Sequence, residues 1–425
     1  MSAPATGLSS RQAALSLLSD VLRKRRPLDA LLDSLKSLPP RDAGFARALV
    51  SGALRHFGEL EAVIGQFVPK PLPPHKAGPA MEILLLGAAE LLILKVPDHA
   101  AVDGANRLAA SDKKAVHFKP LINAVLRRMA REGDAARAKL DAPRLNTPDS
   151  LWQRWSAQYG EETTRAIAVA HQSEAPIDIT LKSSGALAPA GRDLGLSRRV
   201  ETDGRIEEMP GFADGGWWVQ DLAATLPVIM LGDAAGKKVI DLCAAPGGKT
   251  MQLAARGAEV TAVEMDAGRL ERVGENLART KLNATLVAGD ARDYQGRAPL
   301  VLIDAPCTAT GTIRRHPDLP WIKQPGDVMA RAALGYEILE GGAAMVEAGG
   351  LLVFAVCSLE REEGEEQIEA FLAAHPEFAR APLSAGEMLG QGEWITPEGD
   401  LRTLPCHLRD QGGMDGFYAA RLKRL

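Results

Sequence analysis

Cysteine is scarce in this chain of 425 residues: Cys243, Cys307, Cys357 and Cys406 are the only four, and they lie far apart. So few cysteines exclude a disulfide framework, and the lack of any paired Cys-x-x-Cys spacing excludes the usual zinc pattern. Long apolar runs are missing too. The most apolar stretch, Ile83 to Val96, is too short to span a bilayer and is interrupted by Glu90 and Lys95. No apolar signal segment stands between Met1 and Arg11, and no internal repeat is visible. Hydrophobic residues nevertheless make up 46% of the chain and charged residues 24%, so it can bury large cores. At roughly 100–200 residues per domain, this length implies two or three domains. The expectation is a soluble, reduced, cytoplasmic monomer that binds neither metal nor membrane.

The net charge of −4 conceals a division. Residues 1–140 hold 21 Lys and Arg against 13 Asp and Glu, an excess of +8, which leaves −12 for residues 141–425. A basic front end joined to an acidic remainder suits a polyanion-binding module. Its basic groups include Arg23, Lys24, Arg25 and Arg26, and the cluster Arg127, Arg128 and Arg131. These are the candidate nucleic-acid-binding residues.

Residues 1–140 read as an all-α bundle. Ser10 can cap a helix carrying Leu15, Leu18 and Leu22, which Pro27 interrupts. Asp42 to Val68 is amphipathic, with Val50, Leu54, Phe57, Leu60, Ile64 and Phe67 on one stripe and Arg47, Arg55, Glu59 and Glu61 off it. The proline-rich run from Pro69 to Pro74 must be a connector. Met81 to Leu94, apolar on most sides, is the central helix, and Val102–Ala110 and Phe118–Glu132 complete the bundle. From about Thr147 short β-like runs appear, and residues 141–216 read as a linker with a small α/β subdomain. From residue 217 to 425 the alternation of a parallel α/β sheet is plain. Its strands are Val239–Leu242, Val260–Val263, Thr285–Val287, Leu300–Ile303 and Leu351–Ala355. Ala267–Thr280 and Asp327–Glu347 are crossover helices, and Phe417–Leu422 is a final edge strand.

The first strand runs into Cys243-Ala244-Ala245-Pro246-Gly247-Gly248-Lys249-Thr250. Small residues and two glycines let the backbone approach a ligand, and the helix that follows offers free N–H groups. A phosphate-binding P-loop is excluded, because the position that must be glycine is Cys243, and the dinucleotide pattern G-x-G-x-x-G is absent. Glu264 ends the second strand, where a carboxylate can accept hydrogen bonds from two ribose hydroxyls. Asp290 follows the third strand and Asp304 ends the fourth. A single acid at such a position is often just a helix cap. Three of them on the ligand-binding edge, beside a glycine-rich turn, point to a nucleoside-bearing cofactor.

Cys307 and Cys357 come from the ends of the fourth and fifth strands, so topology brings them together. One cysteine alone is usually a small buried hydrophobe. Two beside an acid at a cofactor edge point to thiolate chemistry. Cys243 and Cys406 read as packing residues.

The block from Asp241 to Thr250, with Asp304-Ala305-Pro306-Cys307 and Cys357-Ser358, resembles the Nol/Nop/Sun family of S-adenosylmethionine-dependent RNA cytosine-5 methyltransferases. Arg314-Arg315-His316-Pro317-Asp318 with Trp321, and Asp415-Gly416-Phe417-Tyr418, match it as well. The helical front end is similar to the RNA-binding NusB fold. The resemblance implies a Rossmann-like methyltransferase domain behind a NusB-like helical domain, with small-subunit ribosomal RNA as substrate. It implies S-adenosylmethionine on Cys243 to Lys249, Glu264, Asp290 and Asp304. It further implies Cys357 as nucleophile, Cys307 for product release, Asp304 on the base and Lys249 in support. The family carries Asp at the second strand end, so Asp266 stays open beside Glu264. An amino-directed methyltransferase would need an Asn/Asp-Pro-Pro-aromatic motif where Asp304-Ala305-Pro306-Cys307 stands. A non-catalytic RNA-binding factor would not need two cysteines there.

Overall fold

A computed structural model describes residues 8–425 except 69, 71 and 203. Residues 1–7, and two of the prolines in the expected connector, therefore lie outside the described residues. The chain divides into two compact units: one takes residues up to Ser173 together with Ile313–Lys323, and the other Glu174–Thr312 and Gln324–Leu425.

The first unit is all-α. Its longer helices are Leu8–Lys24, Pro40–Arg55, Phe57–Phe67, Ala80–Leu92, Asp98–Ser111, Lys119–Arg137 and Asp149–His171. Ala80–Leu92 is the central element, with nearly every side chain buried. Its two acids are answered from the first helix: Arg11 pairs with Glu90 and Arg23 with Glu82.

Several expectations shift. The first helix begins before Ser10, so Ser10 is not its cap. Its buried stripe is Ala14, Leu17, Leu18 and Val21, so Leu18 lies on it as expected while Leu15 and Leu22 are only partly buried. Asp42–Val68 is two helices, because the chain turns at His56 (φ −111°, ψ 20°). Glu59 is fully buried rather than solvated. Burial pushes its carboxyl up, but hydrogen bonds from His56 and Arg137 outweigh that and hold it at about 2. Residues 149–171 are helical with a break at Gly160 and belong to the first unit, so the helical unit continues past residue 140.

Ile313–Lys323 packs with this helical unit. Asp318 accepts a hydrogen bond from the Leu28 N–H (3.0 Å), and Trp321 donates to the Leu54 carbonyl (2.8 Å). The Trp321 ring lies 4.6 Å from that of Phe57.

The second unit opens with a small antiparallel sheet of β1 (Ile177–Leu181), β2 (Arg192–Asp193), β3 (Arg198–Val200) and β4 (Trp217–Val219), ordered β2-β3-β1-β4. The large sheet follows with β5 (Lys238–Leu242), β6 (Glu259–Glu264), β7 (Thr285–Ala288), β8 (Ala298–Asp304), β9 (Val346–Val356), β10 (Phe378–Arg380), β11 (Leu401–Thr403) and β12 (Phe417–Arg424). Its order is β10-β12-β9-β8-β5-β6-β7, with β11 also paired to β12. The strands from β5 to β9 run parallel, and β12 is antiparallel to β9.

Period-two alternation builds the two faces of this sheet. Ile240, Leu242, Val301, Ile303, Leu352 and Phe354 fill one core, while Val239, Leu300, Leu302, Val353 and Ala355 fill the other. Phe417–Leu422 is not an edge strand. It lies between β9 and β10, which takes both of its ladders out of solvent.

Candidate active site

β5 and β8 are neighbours, but the chain leaves β5 toward β6 on one flank and β8 toward β9 on the other. The carboxyl ends of β5 and β8 therefore border the crevice where doubly wound sheets take ligands. The candidate cofactor and catalytic residues are delivered to this edge.

After β5 the loop turns sharply. Cys243 has φ 60°, the Ala245–Pro246 peptide is cis and Gly247 has φ 101°. Glycine is required at 247, both for that dihedral and because a Cβ would lie 3.1 Å from Val273 Cγ1. The helix Gly248–Ala255 starts immediately after, so its first N–H groups have no intrahelical partners. Ala244 N–H is bound by the Val263 carbonyl (3.1 Å) and Ala245 N–H by Glu264 (3.2 Å), which moors the loop to β6. Beneath it Asp241 is fully buried, accepts from Thr250 (2.6 Å), and is pushed up to about 7 chiefly by burial. Burial, with Asp304 and Glu264 nearby, also pushes the Cys243 thiol up to about 12. Cys243 stays a neutral thiol.

Of the two acids near the end of β6, Glu264 is buried against the loop, whereas Asp266 caps the helix Ala267–Thr280 by accepting from the Arg269 N–H (2.8 Å). Asp290 is gripped by Arg292 through its side chain and N–H, and this contact lowers the Asp290 carboxyl below its ordinary range. The turn, Glu264 and Asp290 supply the carboxylates and backbone donors that a nucleoside with a ribose and an amino-bearing base requires. These residues fit S-adenosylmethionine.

Asp304 ends β8 with Lys249 at 2.7 Å, and the Lys249 ammonium also sits over the Phe417 ring at 5.2 Å. Lys249 thus joins the loop after β5 to the acid after β8. The two cysteines meet as topology required, with Sγ atoms 3.5 Å apart. Contact with Cys357, together with burial, pushes the Cys307 thiol well above its usual range. The β8 and β9 loops are laced together: Ala305 N–H donates to the Ala355 carbonyl (2.8 Å) and Gly311 N–H to that of Cys357 (3.0 Å). Gly311 touches the tail, since a Cβ there would lie 1.9 Å from the Gly416 carbonyl oxygen. Cys406 lies in the tail and is partly buried.

Sequence reasoning missed a buried layer under the cysteines, formed by Thr308, Thr310, Ser358 and Glu363. Glu363 belongs to the acid-rich stretch from Glu360 to Glu366, none of which is among the expected site residues. Its signal was the spacing from Cys357, which returns the chain beneath the same edge.

The basic candidates of the helical unit divide. Arg23 is committed to Glu82 and the Gly78 carbonyl, while Lys24 and Arg26 both pair with Asp20. Arg25 is exposed, with φ 53°. Arg127, Arg128 and Arg131 are exposed together on the helix Lys119–Arg137, with Arg128 over the Phe67 ring and paired with Glu132. Arg127 and Arg131 line a groove of about 390 Å³ with Asp98, Asp103 and Asn106. Among the described residues no cluster of His, Cys, Asp and Glu is suited to a metal ion, and no helix is long and apolar enough to cross a membrane.

Residues 228–423 match the family model described as 16S rRNA methyltransferase RsmB/F, and residues 8–131 match the NusB family. Ribosomal RNA small subunit methyltransferase B of Vibrio cholerae is 34% identical over 98% of both chains. The protein of that name from Pseudomonas putida is 35% identical over 98% of this chain and 99% of its own. Among solved structures, a protein designated PH0851 matches over the whole of both chains with a TM-score of 0.76 at 22% identity. NSun6 from Pyrococcus horikoshii matches 65% of this chain and 98% of its own, with a TM-score of 0.55 and 18% identity. The two solved structures attest the fold.

Proposed function

Since the chain belongs to the RsmB/F family of 16S rRNA methyltransferases, we propose that it methylates carbon 5 of a cytosine in small-subunit ribosomal RNA through a covalent cysteine adduct. It does so as a cytoplasmic monomer. The observation that carries this reading is the pair Cys307 and Cys357, 3.5 Å apart beside the Asp304–Lys249 ion pair.

S-adenosylmethionine, held by the Cys243–Lys249 loop, Glu264, Asp290 and Asp304, supplies the methyl group. Carbon 5 of cytosine is a poor nucleophile until carbon 6 is saturated. The Cys357 thiolate forms a bond to carbon 6, and the electron pair of the carbon 5–6 double bond moves into the ring, making carbon 5 nucleophilic. The Asp304 carboxylate accepts a hydrogen bond from the amino group of the base, and the Lys249 charge offsets the negative charge arising at the neighbouring ring nitrogen. After methylation, the carbon 5 proton leaves to water, the double bond re-forms and the Cys357 sulfur departs with its electron pair. Cys307, kept as a thiol by its surroundings, donates a hydrogen bond to that departing sulfur.

Bisulfite sequencing of ribosomal RNA from cells with and without the protein tests this directly. One protected cytosine in the small-subunit RNA should become convertible when the protein is absent. An unchanged pattern would reject the proposal.

RNA capture is assigned to the helical unit. Arg127 and Arg131 share one exposed face with Arg128, which Glu132 holds, whereas Arg23, Lys24 and Arg26 are all held by carboxylates, which reduces what that second group offers a phosphate. Replacing the three exposed arginines with Gln should weaken rRNA binding and flatten its dependence on salt. The log–log slope should fall by about one unit for each phosphate no longer neutralised. Affinity for S-adenosylmethionine should not change. Equal salt slopes for wild type and variant would move the RNA surface elsewhere.

A further inference from the structure

Beneath the two cysteines, Thr308, Thr310, Ser358 and Glu363 form a closed polar cluster in which no member is more than 2% exposed. Glu363 lies six residues after Cys357, at the end of the short turn Arg361–Glu363. Its carboxylate accepts two hydrogen bonds from one residue, the Thr308 N–H at 2.8 Å and the Thr308 hydroxyl at 2.6 Å. Thr308 is the residue directly after Cys307. The Ser358 hydroxyl lies 3.4 Å from those of Thr308 and Thr310 and accepts from the Glu360 N–H (3.0 Å). Thr310 in turn accepts from the Leu359 N–H (2.9 Å). Desolvation pushes the Glu363 carboxyl up, while hydrogen bonds from Ser358 and Thr308 act against it. Joining two loops needs no acid, and a buried carboxylate is costly unless its hydrogen bonds are all made. Placing one here, with the Thr308 N–H and the Thr308 hydroxyl both bonded to it, points to a demand on where the adjoining Cys307 thiol sits.

We infer that Glu363 is a positioning residue for Cys307, clamping Thr308 so that the thiol stays beside the Cys357 sulfur during adduct breakdown. This rests on the reading that Cys357 forms the adduct and Cys307 is needed to release it. The clamp is geometric. Glu363→Gln, whose amide oxygen accepts from the Thr308 N–H and whose amino group donates to the hydroxyl, should preserve it, and Glu363→Ala should not.

The test uses the full-length protein, its rRNA substrate and S-adenosylmethionine, with four variants: Glu363→Ala, Glu363→Gln, Thr308→Val and Cys307→Ala. On denaturing gels Glu363→Ala should accumulate a protein–RNA band that also needs Cys357. Its kcat should fall roughly tenfold or more, with KM for RNA and affinity for S-adenosylmethionine unchanged. Glu363→Gln should restore turnover to within a few-fold of wild type. Thr308→Val, which loses the hydroxyl's contacts with Glu363 and Ser358 but keeps the N–H bond, should show a weaker version of the same accumulation and keeps the test open if Glu363→Ala does not fold. If Cys307→Ala accumulates the band but neither Glu363→Ala nor Thr308→Val does, the positioning role is overturned while the covalent reading stands. If Cys307→Ala forms no band, it is the covalent reading that fails. Loss of kcat in Glu363→Gln equal to that in Glu363→Ala would also overturn the clamp.

Discussion

Replacing Cys357 with Ala should abolish methyl transfer to rRNA while leaving the affinity for S-adenosylmethionine unchanged. Without the sulfur, carbon 6 stays unsaturated and carbon 5 stays unreactive, so nothing in the remaining site substitutes for the missing bond. Removing the nucleophile from a covalent mechanism lowers kcat by several orders of magnitude, on the order of 10³ or more. The Cys357 side chain is only partly buried, and its loops remain tied by the Ala305–Ala355 and Gly311–Cys357 backbone bonds, which the substitution keeps. The fold and the cofactor pocket should therefore persist. Radiolabelled methyl transfer read beside calorimetry separates the two effects. Retained methylation would remove Cys357 from the mechanism.

Glu264→Ala should act on the opposite quantity, weakening S-adenosylmethionine binding. Glu264 ends β6, is buried, and holds the Ala245 N–H of the loop after β5, so the substitution removes the proposed ribose acceptor together with a mooring point. Hydrogen bonds to a charged group are worth about 1.5–3 kcal/mol. The dissociation constant should therefore rise by roughly 10- to 150-fold. Asp266→Ala is the control. Its carboxylate caps a helix and is exposed, so stability should fall by about 1 kcal/mol with little change in affinity. The reverse ranking, measured by calorimetry, would transfer the ribose role to Asp266.

Local pattern makes the α/β unit legible. All five expected strands fall inside β5 to β9, and the helix Ala267–Thr280 is legible to its ends, because alternation and caps are encoded within a few residues. The same logic puts Asp304, Cys307 and Cys357 at one edge on topology alone. What escapes depends on partners distant in sequence. Glu59 reads as solvated because its partner, Arg137, is 78 residues away. Helix Asp149–His171 is broken at Gly160 and carries polar residues on much of its surface, so its periodicity is blurred. Phe417–Leu422 alternates as an edge strand would, and nothing local reveals that Leu401–Thr403 and Phe378–Arg380 pair along its other side. Ile313–Lys323 carries family-like residues, yet only the fold shows that Asp318 and Trp321 meet Leu28 and Leu54 of the helical unit. Glu363 is hidden in the same way, inside an acid-rich stretch of which Glu362, Glu365 and Glu366 face water in part.

The central claim is that the two cysteines divide one covalent cycle between them. Incubating Cys307→Ala with rRNA and S-adenosylmethionine, then resolving it on a denaturing gel, tests that division directly. The account predicts a protein–RNA band that survives denaturation, carries the transferred methyl group, and vanishes when Cys357 is replaced as well. A band from Cys357→Ala but none from Cys307→Ala would contradict the account by reversing the two roles. No band from either, with methylation intact in both, would reject a covalent cysteine mechanism for this protein.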